Sequence, residues 1–101
     1  MTITQELRTD VQNKFGLIIL EKEYTDKVGF VVRHTNAQQT VFTWLCILYF
    51  YYNGNLVSTI ESIEQITDSS LLPSIANVDA LVASSIVHYM DNERLHFNIL
   101  P

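Results

Sequence analysis

The chain has 101 residues, of which 48% are hydrophobic and 17% are charged, and its formal net charge is −5. This length favours one domain over residues 1–101, and this composition excludes general disorder. Lys and Arg are absent from His34 to Glu93, so the chain lacks the clustered positive charge that nucleic acid or an anionic membrane surface requires. We therefore expect a protein partner, with no nucleic acid and no membrane, and a basic partner surface is favoured by charge.

Cysteine content and the N-terminus indicate the compartment. Cys46 is the only cysteine, which excludes an internal disulfide framework. The first eight residues lack the basic stretch and the apolar run of a signal peptide. The apolar run at 41–52 is shorter than the roughly 20 residues that a membrane-spanning helix needs. We therefore expect a cytoplasmic protein.

An amphipathic helix is predicted over residues 2–14. The apolar residues that recur there at nearly helical spacing are Ile3, Leu7, Val11 and Phe15. Thr2 and Gln5 have the spacing of a capping box, and Gly16 suits the left-handed position that ends a helix.

Three strands are predicted next. Residues 17–24 read as a strand that begins apolar and ends charged, and 28–34 read as its antiparallel return. Gly29 inside the second strand indicates a bulge or a close backbone approach. After a polar loop at 35–40, residues 41–52 are almost all β-branched or aromatic, which is typical of a strand.

A tight hairpin is predicted to follow, because Asn-Gly at 53–54 is the strongest short signal for one. Residues 56–63 then return as the fourth strand, to about residue 62. A helix over 58–66 is the alternative, because Ser58 and Glu61 have the spacing of a capping box.

A second helix is predicted from Asn77, a good N-cap, to about residue 91. Its inward stripe is predicted to be Val78, Leu81, Val82, Ser85, Ile86 and Tyr89. Residues 94–100 form an optional last strand. The predicted fold class is α+β, with an antiparallel sheet of four to five strands, an N-terminal and a C-terminal helix, and the order α-β-β-β-β-α(-β). Such an order suggests helices on one face of the sheet.

No motif for catalysis is found in the chain. It has no Gly-rich phosphate loop and no nucleophile elbow, and Cys46 lies within the most apolar segment, where thiols are inert. His88, Asp91 and His96 are weak candidates for metal ligands, but their spacing matches no standard pattern. We therefore predict no catalytic residue, no cofactor and no metal.

The aromatic strand 41–52 is apolar on both faces. One face is predicted to carry Phe42, Trp44, Cys46, Leu48, Phe50 and Tyr52, and the other Val41, Thr43, Leu45, Ile47, Tyr49 and Tyr51. Three arrangements would cover both faces. One helix can lie on each face or the sheet can curl around a helix, a second copy can cover one face, or a different protein or an apolar ligand can cover it.

The predicted function is a non-catalytic protein–protein interaction module, namely a small adaptor, inhibitor or regulatory subunit that forms a homodimer through strand 41–52. The predicted interface residues are Trp44, Tyr49, Tyr51 and Tyr52, because Trp and Tyr most often anchor interfaces. One alternative is a carrier of a small apolar ligand, with an aromatic-lined cavity of at least roughly 300 Å³ between sheet and helix. Another is an acidic inhibitor of the phage or defence type.

Overall fold

The protein has an α+β fold, as predicted, in a computed structural model that describes residues 3–92 apart from the side chains of 62 and 63. The elements in chain order are α1 (Ile3–Lys14), β1 (Leu17–Glu23), β2 (Lys27–Thr35), β3 (Val41–Tyr52), β4 (Asn55–Asp68), a 3-10 turn (Ser69–Leu71) and α2 (Ile75–Asn92). The four strands form one antiparallel sheet in the order β1-β2-β3-β4. The optional last strand at 94–100 and the cap at Thr2 lie outside the described residues.

The β3–β4 hairpin turns at Asn53 and Gly54, whose φ angles of 50° and 78° are the positive values that such a turn requires. β4 continues to Asp68, where it still pairs with Val41 at the start of β3. The alternative helix over 58–66 is therefore wrong, and the strand extends beyond the predicted residue 62. Its mixed sequence is extended because β3 offers it a hydrogen-bonding partner of nearly equal length.

One helix lies on each face of the sheet, so the expectation of both helices on one face is wrong. The predicted alternation along β3 is confirmed. The β3 residues packed with α2 are Phe42, Trp44, Cys46, Leu48 and Phe50. The β3 residues packed with α1 are Leu45, Ile47, Tyr49 and Tyr51. The chain thus covers part of each face of its central strand with its own helices, which is the first of the three arrangements.

α1 is fixed to the sheet by burial, by an ion pair and by a close turn. Val11 is fully buried against the sheet. Arg8 donates two hydrogen bonds, of 2.6 and 2.7 Å, to the carboxylate of Glu21 on β1. Gly16 follows the helix with a φ of 140°, and a Cβ there would lie 2.6 Å from the carbonyl oxygen of Arg33. A residue with a side chain would therefore push α1 away from β2.

α2 buries a stripe that differs in part from the predicted one. The residues that face the sheet include Val78, Val82, Ile86 and Met90. Leu81 is 71% exposed, and Ser85 and Tyr89 are also exposed, so the prediction for these three residues is wrong. The helix is rotated so that every fourth residue from 78 to 90 lies on the sheet.

The packing of Met90 against Gly29 explains this rotation. A Cβ built on Gly29 of β2 would lie 2.2 Å from Met90 Sδ, so the thioether occupies the space that a side chain there would fill. Gly29 pairs regularly with both neighbouring strands and is approached by side chains, so the predicted bulge or close backbone approach is wrong. At the same end of α2, Asp91 Oδ1 accepts hydrogen bonds from Lys22 Nζ (2.7 Å) and from the Tyr24 hydroxyl (2.6 Å).

Candidate interaction surface

The outer strand β4 lies largely outside the cover of the two helices. α1 packs mainly on β1 and β2, and α2 packs on β1, β2 and β3. Among the β4 side chains that the structure describes, only that of Ile60 is buried. The sheet is therefore covered on both sides at β1 and β2 and is open at its β4 edge.

On the side that carries α1, β4 has apolar residues near its two ends and polar residues, Thr59 and Glu61, between them. Tyr51 pairs with Leu56, and Thr43 pairs with Ile66, so the side chains of each pair share that side. Leu56 is 49% exposed and Ile66 is 64% exposed, whereas the neighbouring β3 side chains are half-buried. We call this surface the β3–β4 face, and it consists of Leu45, Tyr49, Tyr51, Leu56 and Ile66.

The opposite side of β4 has a different character. Ser58, Gln65 and Thr67 pair with the β3 residues that face α2, and these β4 residues are polar. The single apolar residue described in that row, Ile60, is buried in the core beneath α2. Exposed apolar side chains at pairing positions of β4 therefore belong to the α1 side.

Carboxylates surround the tyrosines of the β3–β4 face. The pKa of Tyr49 is raised by burial and then by the negative charges of Glu61 on β4 and Asp10 on α1. The pKa of Tyr51 is raised by burial, by Tyr49 and by the charge of Glu23. Both phenols are therefore neutral at physiological pH, in a negative local field.

Two clefts flank the face. One of about 300 Å³ lies where α1 ends, and its lining includes Lys14, Phe15, Leu45 and Glu64. The other, of about 400 Å³, lies beside the hairpin, and its lining residues include Ile3, Glu23, Asp26, Tyr51, Tyr52 and Gly54. Most residues that line the larger cleft are exposed, so it is an open groove.

The structure places the four predicted interface residues in different surroundings. Trp44 is fully buried under α2, so it does not lie on the surface and its predicted place in an interface needs correction. Its indole Nε1 donates a hydrogen bond of 2.6 Å to Asp79 Oδ1. Arg33 Nε forms an ion pair with the same oxygen at 3.2 Å, but the geometry is not that of a hydrogen bond. Trp44 is predicted as an interface residue from its residue type alone, whereas the alternation of side chains along β3 places it under α2.

The three predicted tyrosines lie nearer the surface. Tyr49 and Tyr51 belong to the β3–β4 face, where they are half-buried. Tyr52 is 71% exposed at the hairpin. Leu56 and Ile66 are not among the predicted interface residues. The apolar residues of β4 were the available signal for them, but the alternative helix over 58–66 left open which side of a strand they would share.

The hydroxyl of Tyr51 is unusual for its position. Its oxygen is buried and has no hydrogen-bond partner among the residues that the structure describes. A buried hydroxyl without a partner lowers stability, because its hydration is lost and not replaced.

The candidate chemical groups are placed as follows. Burial raises the pKa of the Cys46 thiol to about 12, so this thiol is protonated at physiological pH. His88 Nδ1 lies 3.2 Å from Asn92 Nδ2, and Asp91 is hydrogen-bonded to β1, while His96 lies outside the described residues. Within residues 3–92, no three His, Cys, Asp or Glu side chains are grouped so that they can hold a metal ion.

No protein-family model matches the sequence, and neither a curated protein nor a solved structure matches it. Between residues 3 and 92, neither helix has both the length and the apolar character needed to cross a membrane.

Proposed function

We propose that this protein is a non-catalytic protein–protein interaction module that binds its partner through the β3–β4 face. One observation carries the proposal. The outer strand exposes Leu56 beside the half-buried Tyr51 and Ile66 beside Thr43, whereas the helices pack on β1, β2 and part of β3. Exposed apolar side chains that are joined by half-buried ones and rimmed by polar residues are typical of interaction sites.

The residue types of the face support the same proposal. Tyrosine provides a large, rigid contact area and a polar tip, and it is enriched among the residues that dominate binding energy. The carboxylates of Asp10 and Glu61 at the border would speed association with a basic partner and disfavour an acidic one.

A homodimer is the second form of this proposal. β3 is hydrogen-bonded to β2 and β4 along its length, so a second copy would use the face or the β4 edge and not β3 itself. In a symmetric dimer through the face, Glu61 and Glu64 of one copy would approach the same acidic surface of the other. This repulsion favours a different, basic protein over a second copy.

The experiment is affinity capture with three versions of the protein. Leu56→Lys combined with Ile66→Lys (L56K/I66K) alters the face, and Leu81→Lys is the control, since Leu81 is also an exposed leucine but lies on the outer side of α2. Because all three residues are exposed, we expect each substitution to change stability by no more than about 0.5 kcal/mol. Thermal unfolding of the variants checks this.

We expect wild type and Leu81→Lys to capture the same proteins and L56K/I66K to lose them. Equal capture by all three would contradict the proposal. Sedimentation of each variant at micromolar concentration tests the homodimer, which L56K/I66K would dissociate.

A further inference from the structure

The uncovered width of the sheet fits one helix. Neighbouring strands lie about 4.8 Å apart, and packed helices lie about 8–10 Å apart, so one helix covers about two strands. α1 packs mainly on β1 and β2. The two-strand width of β3 and β4 on the same side therefore accommodates a second helix that lies next to α1.

The length of the face also suits a helix. Leu56 and Ile66 pair with Tyr51 and Thr43, which lie eight residues apart on β3, so at about 3.3 Å per residue their separation is roughly 26 Å. A helix rises about 1.5 Å per residue, so about 18 residues cover this distance. Half-buried apolar side chains of the neighbouring strand β3 connect the two ends, and Thr59 and Glu61 lie between the ends on β4 itself.

The β4 edge is less suited to the addition of a strand. The register between β3 and β4 shifts twice, between Trp44 and Cys46 and between Phe50 and Tyr51. Each shift places an extra residue in β4 and interrupts the regular row of outward-facing backbone groups. Bulges of this kind are a means by which edge strands avoid pairing with another strand.

The charges around the face define the chemistry of the occupant. Carboxylates lie around it and on it on several elements, namely Asp10, Glu23, Glu61 and Glu64. The basic side chains that line the two flanking clefts are Lys14 and Lys27. An occupant with Lys or Arg beside its apolar stripe would gain attraction along both borders.

We infer that the β3–β4 face binds a basic amphipathic helix of a partner protein, which packs next to α1 over β3 and β4. This inference rests on the proposed function and specifies the partner. The apolar stripe of the helix contacts Leu56, Tyr51 and Ile66, and its basic residues lie near Asp10 and Glu61. This is the helix-in-groove form of peptide recognition, in which anchors recur at positions i, i+3, i+4 and i+7.

The test is a selection of displayed random peptides of about 18 residues, the length that spans the face, against the immobilised full chain. Clones that also bind L56K/I66K are removed, and clones that also bind Leu81→Lys are kept. The inference predicts that the enriched sequences carry apolar residues at helical spacing and an excess of Lys and Arg. Raised salt should weaken the binding of synthetic copies of these peptides to wild type, because it screens the attraction between their basic residues and the carboxylates of the face.

Each other result has a definite meaning. Enriched peptides with alternating apolar residues would show that a strand is bound, and acidic or neutral helices would contradict the charge argument. Either result would overturn the inference and leave the proposed function intact. A wild-type dimer that L56K/I66K dissociates would identify a second copy as the occupant and would also overturn it. A monomer with no enriched peptide would overturn both the inference and the proposed function.

Discussion

The packing of Met90 on Gly29 allows a quantitative prediction about the core. Replacement of Gly29 by Ala would place a Cβ 2.2 Å from Met90 Sδ and 2.9 Å from Leu48 Cδ2. Ordinary contacts between such atoms are about 3.5–4.0 Å, so the Met90 side chain must move by more than about 1 Å. Gly29 does not have a positive φ, so Ala itself suffers no backbone strain there.

Two opposing effects set the size of the change. Overpacking of a dense core lowers the free energy of unfolding by about 1–3 kcal/mol. Replacement of Gly by Ala also lowers the entropy of the unfolded chain, which raises the free energy of unfolding by about 0.4–1 kcal/mol. We therefore expect Gly29→Ala to lower the free energy of unfolding by about 0.5–2 kcal/mol. A domain of this size melts about 4–8 °C lower for each kcal/mol lost.

A double-mutant cycle with Met90→Ala isolates the contact, measured by urea unfolding at one temperature. Met90→Ala alone should cost about 2–5 kcal/mol, because it leaves a cavity in the core. In that background the Ala at position 29 has space, so it should be neutral or stabilising. If Gly29→Ala lowers the free energy of unfolding equally in the wild-type and Met90→Ala backgrounds, Met90 does not pack against Gly29 and the prediction is wrong.

Three further predictions concern single polar groups. Trp44→Phe deprives the half-buried Asp79 carboxylate of its indole donor and should lower the free energy of unfolding by about 1–3 kcal/mol, measured by circular dichroism; no loss would contradict the hydrogen bond. Tyr51→Phe removes a buried hydroxyl without a partner in the described structure and should raise stability by up to about 1 kcal/mol, whereas a loss of more than 1 kcal/mol would show that the hydroxyl is bonded. The hydrogen bond and charge of Arg8 lower the pKa of Glu21, so the stability from this pair is full above the unfolded pKa near 4.3 and is lost as pH falls. The melting-temperature difference between wild type and Glu21→Gln should therefore shrink below about pH 4, and a constant difference from pH 7 to 2 would contradict this pairing.

Strong local signals made β3 predictable from the sequence. Its bounds, Val41–Tyr52, are those predicted, because an aromatic and β-branched run lies between a polar loop and an Asn-Gly turn. The turn angles at Asn53 and Gly54 follow from the same two residues. Here local propensity and tertiary structure favour the same conformation.

Other features depended on partners that are distant in the sequence. Residues 58–66 carry both a strand pattern and a helical pattern, and the long hydrogen-bonding edge of β3 decides between them. Leu81 has the residue type of a core position, but the packing of Met90 against Gly29 sets the rotation of α2, and Leu81 is therefore exposed to solvent. A local sequence pattern does not determine how two segments that are distant in the sequence pack together.

The candidate surface was predictable only in part for the same reason. The tyrosines of β3 were predicted from residue type, and Trp44 was included by the same rule although it is buried. The uncovered part of the face depends on which strands α1 spans. That is a property of the packed fold, so the exposure of Leu56 beside Tyr51 and of Ile66 beside Thr43 is seen only in the structure.

The most direct test of the β3–β4 face is the dissociation constant of a captured partner for wild type, L56K/I66K and Leu81→Lys. We expect at least about tenfold weaker binding by L56K/I66K, equivalent to about 1.4 kcal/mol, and a change of less than about twofold for Leu81→Lys. Equal affinities for wild type and L56K/I66K, or a greater loss with Leu81→Lys, would contradict the claim that the partner binds this face.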